Sequence, residues 1–298
     1  MIIDFHLHVS RPEHEHPWVL DFIQGQYDGD LLELMQQTLT PAGIRHALQS
    51  AGIDYAVALA EVSPLTTGTI TNEQTIDFVR AANALSDPPG GPAGRLIPFA
   101  SLNPFIEADL PARLEQLVQE QGFRGIKVYP VYQLHYSNDS RLYPLYAKAQ
   151  ELGIPALVHT GSSAFKGARI KYGDPLHLDD VAIDFPQLNL LMAHGGRPFW
   201  YEQAFWMARR HANVYLEVSG LPATKLLEYF PRLEEIAEKV VYGSDWPGNP
   251  DLRRNIEAIL DLPLGEAAKA LILGGNAARL LGVNELERAP VKAGEVEP

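Results

Sequence analysis

The 298-residue chain contains no cysteine. Disulfides, thiol nucleophiles and thiolate metal sites are excluded together, so any metal must be held by histidine, carboxylate or a modified lysine. A reducing compartment, the cytoplasm, is the expected location. Positive charge is also scarce, with 24 Lys and Arg against 37 Asp and Glu and a formal charge of -13. A nucleic-acid binder needs a basic face to neutralise phosphates, and this balance argues against one. No run approaches the roughly 18 consecutive apolar residues of a membrane span, so no membrane partner is expected. The opening MIIDFHLHVS lacks the basic and apolar regions of a secretion signal. Neither G-x-G-x-x-G nor G-x-x-x-x-G-K-[ST] occurs, which removes the common phosphate loops, and the absence of G-x-S-x-G disfavours a serine hydrolase.

What is present is ordinary globular composition, 46% hydrophobic and 20% charged, in a chain long enough to bury roughly 75% of its unfolded surface. Short β-branched or apolar runs alternate with longer amphipathic stretches, the pattern of βα units around a parallel sheet. Strands are expected over 2–8, 55–60, 96–102, 125–129, 156–159, 188–194, 214–218 and 240–245. Helices are expected over 41–51, 72–85, 107–121, 141–152, 198–211 and 223–238. Eight such units match an α/β fold of the (β/α)8 TIM-type barrel, in one domain over 1–283. An open doubly wound sheet gives the same alternation, but it would be expected to carry a phosphate loop after an early strand. Two long connections, 9–39 and 161–175, fall on the face where barrel active sites are built. The tail 284–298 has no apolar periodicity and is expected to be flexible.

The first strand ends in DFHLH. Side chains alternate along a strand, so His6 and His8 lie about 7 Å apart on one face, close enough to share an ion at roughly 2.1 Å. Two imidazoles on an exposed edge would look the same. Three further candidates close apolar runs elsewhere: His159 in ALVHTG, His194 in LLMAHGG and Asp245 in VVYGSDWP. Four histidines and one aspartate converging on one barrel mouth fit a hard-to-borderline metal such as zinc. His14 and His16 imitate a second H-x-H but lie between Pro12 and Pro17, where a strand is disfavoured, and are left out.

These residues carry a resemblance. H-x-H on the first strand, His on the fifth, His-Gly-Gly on the sixth and GSDWP on the eighth resemble the amidohydrolase superfamily. The resemblance is to the amidohydrolase-related branch, which includes aminocarboxymuconate-semialdehyde decarboxylase and related hydrolases. GIKVYP, HLDDVAIDFPQLNLLMAHGG, NVYLEVSG and GGNAARLLG extend it over nearly the whole chain. The resemblance implies that His6, His8, His159 and Asp245 bind one divalent metal, most often zinc, and that His194 and Asp245 are catalytic. A fourth-strand lysine is carboxylated in other branches. Lys127 could therefore bridge two metals, contact substrate, or be structural, and the mononuclear site is the preferred reading. The implied activity is a metal-dependent hydrolase that uses metal-bound hydroxide on an ester, lactone or amide of a small organic acid. The alternative is a nonoxidative decarboxylase of an unsaturated or aromatic acid, a carbon-carbon lyase. Related proteins are often dimers, so a homodimer is possible on the same ground.

An acidic protein that takes an anionic small molecule must focus positive charge locally. Arg197, directly after HGG, is the leading substrate contact, with Lys127 and Tyr129. Lys166, Arg169 and Lys171 in the loop after the fifth strand, and Arg124, are further candidates. Tyr132, His135, Tyr136, Trp18 and Phe22 are candidates for an aromatic wall. Glu61, Asn103 and Glu217, at or near strand ends, read either as supports of the site or as satisfied structural groups.

Overall fold

Apolar runs become strands where their residues can be covered on both faces, as a parallel sheet requires. In the computed structural model, which describes residues 1–25, 29–249 and 251–283, these are β1 (Ile3–His8), β2 (Tyr55–Leu59), a hairpin of β3 (Glu61–Ser63) and β4 (Gly68–Ile70), β5 (Arg95–Phe99), β6 (Ile126–Val128), β7 (Ala156–His159), β8 (Leu190–Ala193), β9 (Val214–Glu217) and β10 (Val240–Val241). Pairing is parallel in the order β1-β2-β5 and β6-β7-β8-β9-β10, and β3 and β4 pair antiparallel. Two seams close the ring. Ala100 bridges Ile126, with Lys127 N donating to Ala100 O at 2.7 Å, and Leu7 bridges Trp246, with Phe5 N donating to Tyr242 O at 3.0 Å. The result is the expected eight-stranded parallel barrel.

Inside it, Ile3, Phe5, Val57, Leu59, Ile97, Phe99, Leu157, Leu191 and Val241 form one cluster. It is continuous with Ala277, Leu280, Leu281 and Val283, which plug the N-terminal end. A second apolar layer, with Ala56, Ala58, Val128, Val158, Leu190 and Leu216 from the outer strand faces, packs under the helices. Helix starts follow the capping chemistry. Thr40 accepts from Gly43 N ahead of α3 (Pro41–Ala51), and Thr71, not Asn72, caps α4 (Asn72–Asn83) in a reciprocal box with Gln74.

Several expectations need correction. Segment 9–39, read as a loop, carries α1 (Pro17–Gln24) and α2 (Leu31–Thr38), the latter capped by Asp30, with Val19, Leu31 and Met35 buried. Segment 223–238 is not one helix. Pro231 lacks the N–H that a continuous helix needs, and the chain breaks into Leu226–Tyr229 and the turns of Leu233–Lys239. The β3 and β4 hairpin was too short to register as alternation. The tail 284–298 lies outside the described residues.

Candidate metal centre and its pocket

The histidine pair owes its placement to an irregularity. In β1 the pairing runs from Asp4 against Ala56 to Leu7 against Ala58, one residue more than its partner strand. Such a bulge shifts the phase of a strand. Phe5 therefore joins the interior cluster, Leu7 joins the outer layer, and His6 and His8 both line the cavity at the barrel mouth. Asp4 secures the neighbouring turn, its Oδ1 accepting from Ser244 N at 2.8 Å and His6 N at 3.1 Å. Asp245 N donates to His6 O at 2.9 Å, and His8 N donates to Trp246 O at 2.9 Å. The two ends of the chain thus hold one group of donors.

His6 Nε2 and His8 Nε2 each lie 3.4 Å from Asp245 Oδ1. Ligands at about 2.1 Å from a tetrahedral ion stand about 3.4 Å apart, so this spacing fits a single cation. Among the described residues, donors close within 4.8 Å of one another in two groups, His6 with His8 and Asp245, and His6 with His194 and Glu217. His159 belongs to neither group. It lines the same cavity, though, and its buried Nε2 has no hydrogen-bond partner, which suits a ligand atom. His194 and Asp245 adopt positive φ angles of 66° and 64° at their strand ends. Side chains other than glycine seldom sit there, and such strain gathers at functional positions.

Burial, followed by the Lys127 charge, holds His6 and His159 well below the ordinary histidine value, so both are neutral as ligation requires. Burial and Arg197 do the same for His194. Burial alone would raise Asp245. The neighbouring His194, the hydrogen bond from His8, His6 and the Arg197 guanidinium outweigh it and hold that carboxyl well below its ordinary value. His6 Nδ1 donates to Glu217 Oε2 at 3.2 Å, which directs Nε2 toward Asp245. Ser219 Oγ donates to Glu217 Oε2 at 2.7 Å and lies 2.9 Å from His6 Nδ1 and 3.0 Å from His194 Nδ1. His194 Nδ1 also reaches Ser219 O at 3.0 Å. A proton on Nδ1 leaves Nε2 as the acceptor.

Arg197 Nη1 donates to Gly220 O at 2.7 Å, and Nη2 lies 3.5 Å from Asp245 Oδ2. Gly220, at φ 62°, must be glycine, because a Cβ there would strike both the guanidinium and the Asp245 carboxylate. Lys127 is fully buried, 3.5 Å from His6 Nε2, and burial lowers its pKa to about 8. Arg197, Lys127, Tyr129 and Tyr132 line the cavity of about 600 Å³ together with the five candidate metal-site residues. The Tyr129 hydroxyl is spent on Ala60 O at 3.0 Å.

Other candidates fall elsewhere. Lys166 lies over Trp18 and Lys171 over Tyr172, and neither they nor Arg169 line the cavity. Arg124 belongs to the groove at the opposite end. His135 is bound to Gln133 and the Tyr136 carbonyl, Tyr136 packs on Tyr172 and His177, and Asn103 donates to Val62 O. Glu61 does line the cavity, 3.8 Å from His8 Nδ1. Two residues escaped the sequence reading. Ser219 stands two positions after Glu217 in EVS, and Glu15 stands between His14 and His16, where alternation alone would have turned it opposite to both.

The family model described as Amidohydrolase matches residues 3–283. Among solved structures, an uncharacterized TIM-barrel protein from Bordetella bronchiseptica is 25% identical with a TM-score of 0.75, over 94% of this chain and 98% of that one. A probable 2-pyrone-4,6-dicarboxylic acid hydrolase from Acinetobacter baumannii is 16% identical with a TM-score of 0.63, over 94% and 99%. A 5-carboxyvanillate decarboxylase from Novosphingobium aromaticivorans, complexed with manganese, is 16% identical with a TM-score of 0.60, over 95% and 96%. These last two likenesses establish the fold and no more.

Proposed function

Since the chain belongs to the amidohydrolase family, we propose that it is a metal-dependent hydrolase of an ester, lactone or amide of a small organic acid. His6, His8, His159 and Asp245 would hold one divalent cation, zinc by the nature of the donor set. The observation that carries this reading is the division of labour at Asp245. Its Oδ1 faces both histidine Nε2 atoms at 3.4 Å, while Oδ2 lies 3.5 Å from Arg197 and 3.8 Å from His194 Nδ1. A cation so held supplies Lewis acidity and acidifies water at the site. Asp245, kept ionised, accepts a proton at Oδ2. Neutral His194 accepts or returns one at Nε2, held in register by Ser219. Arg197 binds the substrate carboxylate, and the enclosing Phe22, Tyr132 and Phe165 exclude water from the opposite wall.

The same wall favours a second reading, nonoxidative decarboxylation, because a flat unsaturated acid can lie against it with its carboxylate toward Arg197. What leaves the substrate separates the two. Purified protein is analysed for metal, then assayed on esters, lactones and unsaturated carboxylates with released acid and carbon dioxide recorded in parallel. The expected outcome is about one divalent ion per chain and metal-dependent acid release. Carbon dioxide without acid release establishes the lyase instead, and two ions per chain return Lys127 to the ligand set as a carboxylated bridge.

A further inference from the structure

Between β1 and α1 the chain crosses the mouth as a strap, pinned to the β3 and β4 hairpin. Glu15 bridges Gly68, His16 N donates to Thr67 O at 2.9 Å, His16 Nε2 to Pro64 O at 2.8 Å, and Trp18 Nε1 to Thr66 O at 2.8 Å. Gly68, at φ 141°, lets the strands meet, since a Cβ would collide with His14 O. His16 therefore anchors the strap to the hairpin, His14 lies 3.2 Å from Gln74 Nε2, and the residue between them faces the cavity. Glu15 lines it beside Glu61, accepting from Ser10 as Glu61 accepts from Thr67.

The charges are arranged in order across the mouth. Glu15 and Glu61 adjoin His8, His8 adjoins Asp245, and Asp245 adjoins Arg197. Arg197 and Lys127 are the cations among the described residues lining the cavity, and Lys127 sits at its floor against His6. The strap side thus offers acceptors and no cation. Two independent features show that the cavity is built for an occupant. Tyr132, Phe165 and Phe22 form a continuous aromatic wall, with ring centroids 5.9 and 5.3 Å apart, and His159 Nε2 is buried without a partner.

We infer that Glu15, held by the strap and paired with Glu61, determines specificity: the pocket takes acids that present an N–H or O–H donor to the strap while Arg197 takes the carboxylate across the metal donors, and it rejects acids with a second carboxylate there. This rests on the reading of the mouth as the binding site of a small organic acid. Like charges brought together in a desolvated site repel strongly, whereas a donor satisfies lone pairs that Ser10 and Thr67 leave open.

Calorimetric binding of three flat probes to the purified protein tests this: 3-hydroxybenzoate, 3-(aminomethyl)benzoate and isophthalate. Both donor-bearing acids should bind at least about tenfold more tightly than isophthalate, a difference of about 1.4 kcal/mol, and their mutual order tells whether the carboxyl pair takes a neutral or a cationic donor. Glu15→Gln should narrow the ratio, and Glu15→Lys should reverse it. Isophthalate binding as tightly as the others to the unaltered protein overturns the inference without any variant, as does a ratio that neither substitution moves or no binding of any probe. Binding is read without turnover. A preserved ranking without metal-dependent turnover sinks the proposed activity alone, and turnover without ranking sinks this inference alone.

Discussion

At the N-terminal end of the barrel, Ala277, Leu280, Leu281 and Val283 press into the interior cluster. Nearby, the buried Arg45 spends its guanidinium on Asp87 and the Ala82 carbonyl, with Arg95 on the far side of the same carboxylate. At the C-terminal end the interior turns polar. His6, Lys127, His159, His194 and Glu217 are as deeply buried as the leucines below them, one ring nitrogen has no partner, and His194 and Asp245 carry left-handed backbone. One end sets its buried cation against a carboxylate, although Arg45 Nε has no partner, and the other gathers buried titratable groups around strained backbone. The difference teaches where this chain keeps its stability and where it spends some of it, since unpaired buried polar groups and strained φ angles persist only when the rest of the fold supports them.

The comparison breaks most visibly at Asp245. Asp245→Asn should lower turnover by about a thousandfold or more, as expected when a group acting on the transition state is lost, while circular dichroism and melting remain native. A variant with full activity removes the mouth as the catalytic end. The next effect is set by the supports of the site. Ser219→Ala and Glu217→Gln should each reduce metal affinity or turnover by about 10- to 100-fold. Chelator competition reads the affinity, and unchanged values would make the Glu217 and His6 pair a matter of packing alone. The smallest effect on catalysis belongs to the N-terminal end. Asp87→Asn should leave turnover unaltered and cost roughly 1 kcal/mol or less in urea denaturation, because Arg45 loses a charged but part-exposed partner while keeping the Ala82 carbonyl. Arg95, opposed by burial, holds the Asp87 carboxyl below its usual value. Its contribution is therefore complete above the unfolded carboxylate pKa and is lost as pH falls through the lowered folded value. The stability gap between parent and variant should stay flat from about pH 5 to about pH 9 and close in acid. A gap that opens near neutrality would show that the two ends are coupled.

The barrel was legible because each of its strands carries its own periodic apolar run, and the histidines were legible because they close those runs. What the alternation could not disclose was its own interruption. The bulge in β1 leaves H-x-H looking regular in sequence while placing Phe5 on the same interior as His6. Glu15 was hidden because its direction depends on a strap whose anchors, Thr66, Thr67 and Gly68, lie some fifty residues away on a hairpin too short to see. The loop cations misled for a related reason. Lys166 and Lys171 found aromatic faces to rest on, and a charged side chain near a mouth in sequence need not reach it in space. Pro231 was plainly visible, and its effect on segment 223–238 follows from its missing N–H.

The seam between β1 and the turn at Ser244 has a bearing on synthesis. His6 and His8 precede Asp245 by 239 and 237 positions and lack this partner until it has been made. The group of donors is therefore incomplete until the last barrel strand and the turn after it have been made. A cation held by that group, as proposed above, would fasten the last strand to the first.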